Sequence, residues 1–166
     1  MVPKKHSILI LVVGVFLFLV DRFLKHQALG AWADPHLFKN IIGWSVFFNT
    51  GIAFSLPLPS WMTAIITAPI LLLFGWAIVR VLRSQSPLPP HLPLPFPHNQ
   101  TLNLLITILL FSGALSNLFD RLVYGYVVDY FRIFTGIINV ADVVIALGFA
   151  LYLFGIRHDH HTAEQR

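Results

Sequence analysis

The sequence predicts an all-α integral membrane protein with four transmembrane helices and a small β-sheet at the membrane surface. Of its 166 residues, 57% are hydrophobic and 11% are charged, whereas soluble domains carry about 25% charged residues. Three long stretches, 40–79, 84–119 and 143–156, contain no Lys, Arg, Asp or Glu. Such apolar runs belong in lipid, and the length suits a single membrane domain over residues 1–166.

The apolar runs locate the spans. An even number of spans puts both termini on one side, and the Lys4 and Lys5 pair before the first span favours the cytoplasmic side. Residues 84–100 contain six prolines, which oppose regular helix, so this segment is expected to be an extended cytoplasmic linker. The four predicted spans are 7–24, 61–82, 101–119 and 139–156.

Two segments outside the spans have β character. Residues 30–60 form a predicted outer loop with strand-like pieces at 44–48 and 52–54, and residues 126–134 are also β-rich. A turn at Thr135 and Gly136 would fold the second segment back on itself. We therefore expect a small sheet on the outer side of the membrane.

Composition excludes several kinds of chemistry. The chain has no cysteine, so disulfides, thiolate metal sites and cysteine nucleophiles are excluded. The net charge of +4 is scattered without interleaved aromatics, so nucleic acid is not an expected partner. No metal is expected either, because the eight histidines include no His-Glu-x-x-His pattern. A Ser–Lys dyad through Lys25 or Lys39 has no particular serine to pair with.

Carboxylates lie where the membrane should be. A span needs about 20 residues, but the last apolar run, 143–156, is shorter and draws Asp142 toward the hydrocarbon. The first run draws in Asp21, which shares a helix face with Lys25 and can pair with it. Ionisable groups at such depth are costly and are functional candidates by default.

The end of the third span carries a polar face. Gly113, Asn117, Asp120 and Arg121 fall on or near one side of the helix. Close helix packing explains the small residue Gly113. It explains less well an asparagine one turn before an Asp-Arg pair.

The predicted turn can bring Asp129 and Asp142 together at one membrane face. Two carboxylates in a low-dielectric site share a proton, and such a pair can activate water and stabilise an oxyanion. A structural alternative is that Asn139 caps the fourth helix, with Asp142 at its third position. A proton or ion relay is a further alternative, so spacing alone leaves three interpretations open.

At these residues the sequence resembles lipoprotein signal peptidase (signal peptidase II), a family of bacterial membrane aspartyl peptidases. The resemblance covers most of the chain and rests on five motifs in the family's order. These are Asp-Arg-Phe-Leu-Lys (21–25), Asn-Thr-Gly-Ile-Ala-Phe-Ser (49–55), Gly-Ala-Leu-Ser-Asn-Leu-Phe-Asp-Arg (113–121), Gly-Tyr-Val-Val-Asp-Tyr (125–130) and Asn-Val-Ala-Asp (139–142).

The resemblance implies a fold and a role for each group of residues. The fold is four spans with cytoplasmic termini and a small extracytoplasmic β-cradle. The implied catalytic pair is Asp129 and Asp142. The implied substrate-binding residues are Asn49, Gly51, Asn117, Arg121 and Asn139. Structural support is implied for Asp21, Lys25, Gly113 and Asp120. Four positions depart from the family's common pattern: Arg22 stands where Gln is usual, Ser112 and Ser116 where glycine is frequent, and Tyr130 where Phe is usual.

The implied activity is removal of signal peptides from diacylglyceryl-modified prolipoproteins, with cleavage just before the lipidated cysteine. It needs no cofactor or metal, and its partners are the lipidated substrate and membrane lipids. The implied location is the bacterial cytoplasmic (inner) membrane, with the active site near the outer face. The alternatives are a small proton-coupled transporter and a non-enzymatic membrane scaffold.

Overall fold

The structure, a computed structural model, describes residues 3–39, 41–51, 59–84 and 99–164. Within these ranges it contains four long helices and four strands. Each helix is long and apolar enough to cross a membrane, which confirms the four-span prediction. In chain order the elements are α1 Lys4–Leu29, β1 His36–Phe38, β2 Ile42–Asn49, α2 Ser60–Ser84, α3 Gln100–Tyr124, β3 Val127–Ile133, β4 Gly136–Ile138 and α4 Val140–Glu164.

Some sequence predictions fall outside the described residues. The strand predicted at 52–54 lies there, as does nearly all of the proline-rich linker predicted at 84–100. The side chains of the histidine-rich tail at 158–161 are also not described.

Three helices are longer than their apolar runs predicted. α1 continues to Leu29 and α3 to Tyr124, each five residues beyond the predicted end, and α4 continues to Glu164, eight residues beyond it. The sequence prediction places the membrane boundary at the charged residues Asp21–Lys25 and Asp120–Arg121. Asp21, Arg22, Lys25 and Asp120 instead form ion pairs within α1 and between α1 and α3, so α1 and α3 continue through them.

α3 is the central helix of the bundle, because it contacts α1, α2 and α4. Glycines allow the closest approaches. A Cβ built on Gly113 would lie 2.6 Å from the carbonyl oxygen of Ala141 in α4, and one on Gly14 would overlap Cγ2 of Ile108 in α3. Small residues at such crossings let two helix backbones come together. The contact at Gly113 matters for the site because it fixes the beginning of α4 against α3.

The four strands form one antiparallel sheet in the order β1-β2-β3-β4. The predicted strands at 44–48 and 126–134 correspond to β2 and β3, and the predicted turn precedes β4. β1 was not predicted, because three residues are too few to show alternation. The N-terminal half of β3 packs on α1, where Val128 and Tyr130 are buried against Ala28. This packing places β3 beside the ends of α1 and α3.

Candidate active site

Asp129 is the third residue of β3, in a stretch of the strand that is buried on both faces. Its side chain is 1% exposed and accepts two hydrogen bonds from asparagines. Oδ1 accepts from Nδ2 of Asn139 at 2.6 Å, and Oδ2 accepts from Nδ2 of Asn49 at 3.1 Å. Burial, and then the negative charge of Asp142, raises the pKa of Asp129 to about 7, although both asparagine bonds oppose the rise. The carboxyl therefore keeps its proton to a higher pH than an ordinary aspartate does.

Asp142 lies in the first turn of α4 and is held from two sides. Its Oδ1 accepts a hydrogen bond from Nδ2 of Asn117 at 2.8 Å. Its Oδ2 accepts from the backbone N–H of Asn139 at 3.3 Å, and its own N–H donates to Oδ1 of Asn139 at 2.8 Å. This reciprocal pair is a helix-capping arrangement, as the structural alternative expected.

Asn139 joins the two acids. Its Nδ2 donates to Asp129, while its Oδ1 accepts from the backbone of Asp142. The turn between β3 and β4 therefore does bring the two carboxylates to one place. Capping does not exclude a shared site, because one asparagine contacts both acids at the same time.

Lys25 is fully buried and is linked to Asp142 through Asn117. Its Nζ donates to Oδ2 of Asp21 at 2.9 Å, to Oδ2 of Asp120 at 2.8 Å and to Oδ1 of Asn117 at 2.8 Å. These three bonds use all three ammonium protons. Asn117 accepts from Lys25 and donates to Asp142. Lys25 therefore orients the amide that holds Asp142.

Arg22, for which the sequence predicted no role, adds a half-buried guanidinium to this cluster. Its guanidinium pairs with Oδ1 of Asp120 and lies over the ring of Phe119, 4.4 Å from the centroid. With Asp21 and Lys25, the cluster has two acids and two bases, so its formal charge is zero. Buried charges are tolerated when they are paired in this way.

Asp21 was expected to give structural support, and it contacts three other elements. Its Oδ2 accepts from Oγ of Ser116 at 2.6 Å. Its Oδ1 accepts from the Tyr130 hydroxyl at 2.9 Å and from the N–H of Ala141 at 3.1 Å. Sequence reasoning missed Ser116 and Tyr130 as partners. The only signal at Tyr130 was its departure from the family's usual phenylalanine.

A cleft of about 840 Å³ opens between the end of β2, the start of α2 and the end of α3. Neither acid lines it, but Asn49, which does, donates a hydrogen bond to Asp129. Asn49, Gly51 and Arg121 all line it. Nη2 of Arg121 donates to the carbonyl of Gly51 at 3.2 Å. Its Nε is buried and has no hydrogen-bond partner within the described residues. Three of the five expected substrate-binding residues therefore share one cleft. Asn117 and Asn139 lie at the acids instead.

Gly113 lies one turn before Asn117 on α3, at the contact with α4. It is therefore next to the site without facing the cleft. In the part of the chain that the structure describes, no three His, Asp or Glu side chains are grouped to hold a metal ion.

The fold and the site together define a multi-pass membrane protein with two carboxylates, one buried and one half-buried, at one end of its helix bundle. The family described as signal peptidase (SPase) II matches residues 13–157 of the chain. The chain belongs to the signal peptidase II family.

Relatives of this family match at different lengths. The lipoprotein signal peptidase of Pasteurella multocida is 41% identical over 63 residues, which is 35% of this chain and 38% of that protein. The one from Dichelobacter nodosus is 28% identical over 157 residues, covering 88% of this chain and 92% of the relative. The one from Clostridium tetani is 27% identical over 165 residues, covering 92% and 94%. The chain thus spans about two fifths of the first relative and nearly all of the other two.

Two solved structures have the same fold. Both are described as bacterial membrane enzymes, one at 2.3 Å and the other at 1.9 Å resolution. The first has a TM-score of 0.71 at 23% identity and covers 94% of this chain and 90% of its own. The second has a TM-score of 0.65 at 23% identity, with 92% of each chain covered.

Proposed function

We propose that this protein is an aspartyl endopeptidase of the membrane that removes signal peptides from diacylglyceryl-modified prolipoproteins. Cleavage occurs just before the lipidated cysteine. The observation that carries the proposal is the pair of carboxylates, Asp129 and Asp142, bridged by Asn139. Membership of the signal peptidase II family supports it.

The environments of the two acids suit different roles. Burial, and then the charge of Asp142, raises the pKa of Asp129 to about 7, and we assign the proton that the pair shares to this acid. Asp142 accepts two hydrogen bonds and lies at the N-terminus of α4, and both features stabilise a carboxylate. One acid therefore serves as proton donor and the other as base.

Hydrolysis then follows in two steps. Asp142 takes a proton from a water whose oxygen bonds to the scissile carbonyl carbon, while Asp129 gives its proton to the carbonyl oxygen. In the second step the C–N bond breaks and Asp142 passes its proton to the leaving nitrogen. The hydroxyl formed on the carbonyl oxygen returns a proton to Asp129, which restores the starting state.

The cleft offers polar and apolar surfaces for a lipidated peptide. Asn49, Gly51 and Arg121 provide amide and guanidinium groups for a peptide backbone or a lipid ester. Trp61 and Leu122 line the same cleft and are 64% and 70% exposed. Apolar side chains of this kind suit acyl chains that stay in the bilayer. Asn117 and Asn139 keep the acids in position.

The acids are tested by single substitutions. Asp129→Asn and Asp142→Asn should each abolish conversion of a lipidated prolipoprotein, followed as a gel shift, because each removes one proton-transfer group. Asp34→Asn is the matched control, because Asp34 is an exposed aspartate away from the site. Processing by either site variant at a rate near that of the wild type would contradict the proposal.

A proton-coupled transporter is the weaker alternative. It needs ionisable groups spread through the bilayer. In this protein the residues Asp21, Lys25, Asp129 and Asp142 meet in one connected network at one end of the bundle. We further infer a place in the bacterial cytoplasmic membrane, with cytoplasmic termini and the site near the outer face.

A further inference from the structure

We propose that the Tyr130 hydroxyl is a positioning group that ties the strand carrying Asp129 to the first turn of the helix carrying Asp142. The inference rests on the proposed function, because it concerns the spacing of the two acids. Tyr130 contacts neither acid by a side-chain hydrogen bond within the described residues, so it acts through the elements that carry them.

The hydroxyl makes two hydrogen bonds to two different helices. It donates to Oδ1 of Asp21 in α1 at 2.9 Å, and it accepts from the backbone N–H of Val140 in α4 at 3.0 Å. Tyr130 is 2% exposed, so water cannot replace either partner. Three elements, β3, α1 and α4, therefore meet at one oxygen atom.

The bond to Val140 is one of three that fix the start of α4. The first N–H groups of a helix have no partner within the helix. Here Val140 donates to Tyr130, Ala141 donates to Asp21 and Asp142 donates to Asn139. These acceptors come from β3, from α1 and from the capping position. The first turn of α4 is thus fixed by groups outside it, including the residue that follows Asp129.

The tyrosine stays a hydroxyl over the working pH range. Burial, and then the negative charge of Asp21, raises the pKa of Tyr130 above its ordinary value. A neutral hydroxyl can donate and accept at once. The indole of Trp44 stacks on the ring, with centroids 4.9 Å apart, which holds the hydroxyl in place. Removing the oxygen would leave the N–H of Val140 without an acceptor, and such a loss loosens a buried contact.

The test compares Tyr130→Phe with Tyr126→Phe in the full-length enzyme in detergent, using a lipidated prolipoprotein. Tyr126 is the matched control: it is a nearby tyrosine whose ring packs on Phe48 and Tyr124, with no hydroxyl hydrogen bond among the described residues. Tyr130→Phe should lower kcat about tenfold and leave KM within about twofold. Tyr126→Phe should change neither constant.

The pH profile separates positioning from simple loss of folded enzyme. A smaller folded fraction scales the profile of kcat against pH without moving it. The charge of Asp142 helps to raise the pKa of Asp129, whereas Lys25 and the asparagines Asn49 and Asn139 lower it. If Asp142 moves away, the pKa of Asp129 falls. The alkaline limb of the Tyr130→Phe profile should therefore shift to lower pH, and the thermal midpoint of unfolding should stay above the assay temperature.

Several results would overturn the inference. One is an unchanged kcat in Tyr130→Phe, and another is a rise in KM that accounts for the whole loss. A third is a variant that is unfolded at the assay temperature, or a profile lowered without a shift, because both indicate a purely structural role. A wild-type protein that does not cleave at all would instead refute the proposed function, so the two failures are distinguishable.

Discussion

At the scale of single residues, the protonation of Asp129 links activity to stability. Its pKa is 3.8 in an ordinary setting and about 7 in the fold. Between these values the folded protein binds a proton that the unfolded chain has released. The free energy of unfolding therefore falls as pH rises from about 4 to about 7.

This linkage predicts that the stability of the protein depends on pH. The substitution Asp129→Asn should weaken that dependence. The wild type should show a lower thermal midpoint at pH 7.5 than at pH 5, because the ionised carboxylate is poorly solvated. The variant cannot ionise at this position, so its midpoint should change less over the same range. Differential scanning of the detergent-solubilised proteins measures both. An equal change in the two proteins would contradict the raised pKa.

Lys25 gives a second prediction at this scale. Lys25→Met should lower the free energy of unfolding by about 3–5 kcal/mol, because it leaves Asp21 and Asp120 short of a positive partner in a buried cluster. Lys39→Met, at an exposed turn lysine, is the control and should change it by less than about 0.5 kcal/mol. Denaturant titrations measure both. A loss in Lys25→Met no larger than in the control would show that the cluster is not needed for stability.

Some of these residues could be found in the sequence and others could not. A carboxylate or amide inside an apolar run stands out, which is how Asp129, Asp142 and Asn117 became candidates. Arg22 did not stand out, because it follows Asp21 and looked like part of a membrane boundary. Its partner, Asp120, is 98 positions away. No local pattern predicts a pairing at that separation.

At the scale of elements, the contact of α3 with α4 sets the position of Asp142. Gly113 allows that contact, because a Cβ there would lie 2.6 Å from the carbonyl oxygen of Ala141 and 2.7 Å from Cγ1 of Ile145. The backbone oxygen belongs to the first turn of α4, which also carries Asp142. A larger residue must push this turn away from Asn117.

Gly113→Ala should therefore lower activity at least about tenfold and reduce the thermal midpoint. The control is Gly75→Ala in α2, where the added Cβ would meet Cε2 of Phe111 at an ordinary 3.5 Å. That variant should be as stable as the wild type or slightly more stable, since alanine favours helix over glycine. Processing assays and thermal unfolding check both. Full activity in Gly113→Ala would show that the helix contact does not control the site.

Element ends were harder to predict than the elements themselves. Charge-free runs identified all four helices, because lipid selects apolar side chains. The same rule predicted ends for α1 and α3 that are too early, because it treats every charged side chain as exposed to water. In α1, Asp21 and Lys25 face partners inside the protein instead. The short strand β1 was not predicted, because its strand conformation depends on pairing with β2 and not on a pattern in its own sequence.

At the scale of the whole molecule, the four helices fix the relative positions of the termini and the site. α1 and α3 carry site residues in their C-terminal halves, whereas α4 carries Asp142 in its first turn. Four spans put both termini on the side of the membrane opposite to this end of the bundle. With the cytoplasmic termini proposed above, the sheet is expected outside the cytoplasm.

The absence of cysteine from the sequence makes this orientation testable by labelling. In intact spheroplasts, a Phe134→Cys variant should react with a membrane-impermeant maleimide, because Phe134 is 71% exposed in the turn between β3 and β4. Lys5→Cys should react only after the membrane is opened. Labelling of Lys5→Cys in intact spheroplasts, without labelling of Phe134→Cys, would reverse the proposed topology.

The double role of Asn139 has a consequence for how such a protein can change over generations. Its amide begins a helix and touches both acids, so a substitution there alters folding and chemistry in a single step. Many enzymes evolve through variants that remain active but are less stable, and later substitutions restore the stability. Under the proposed function, position 139 offers no such intermediate, and its tolerance to random replacement should be as low as that of the acids.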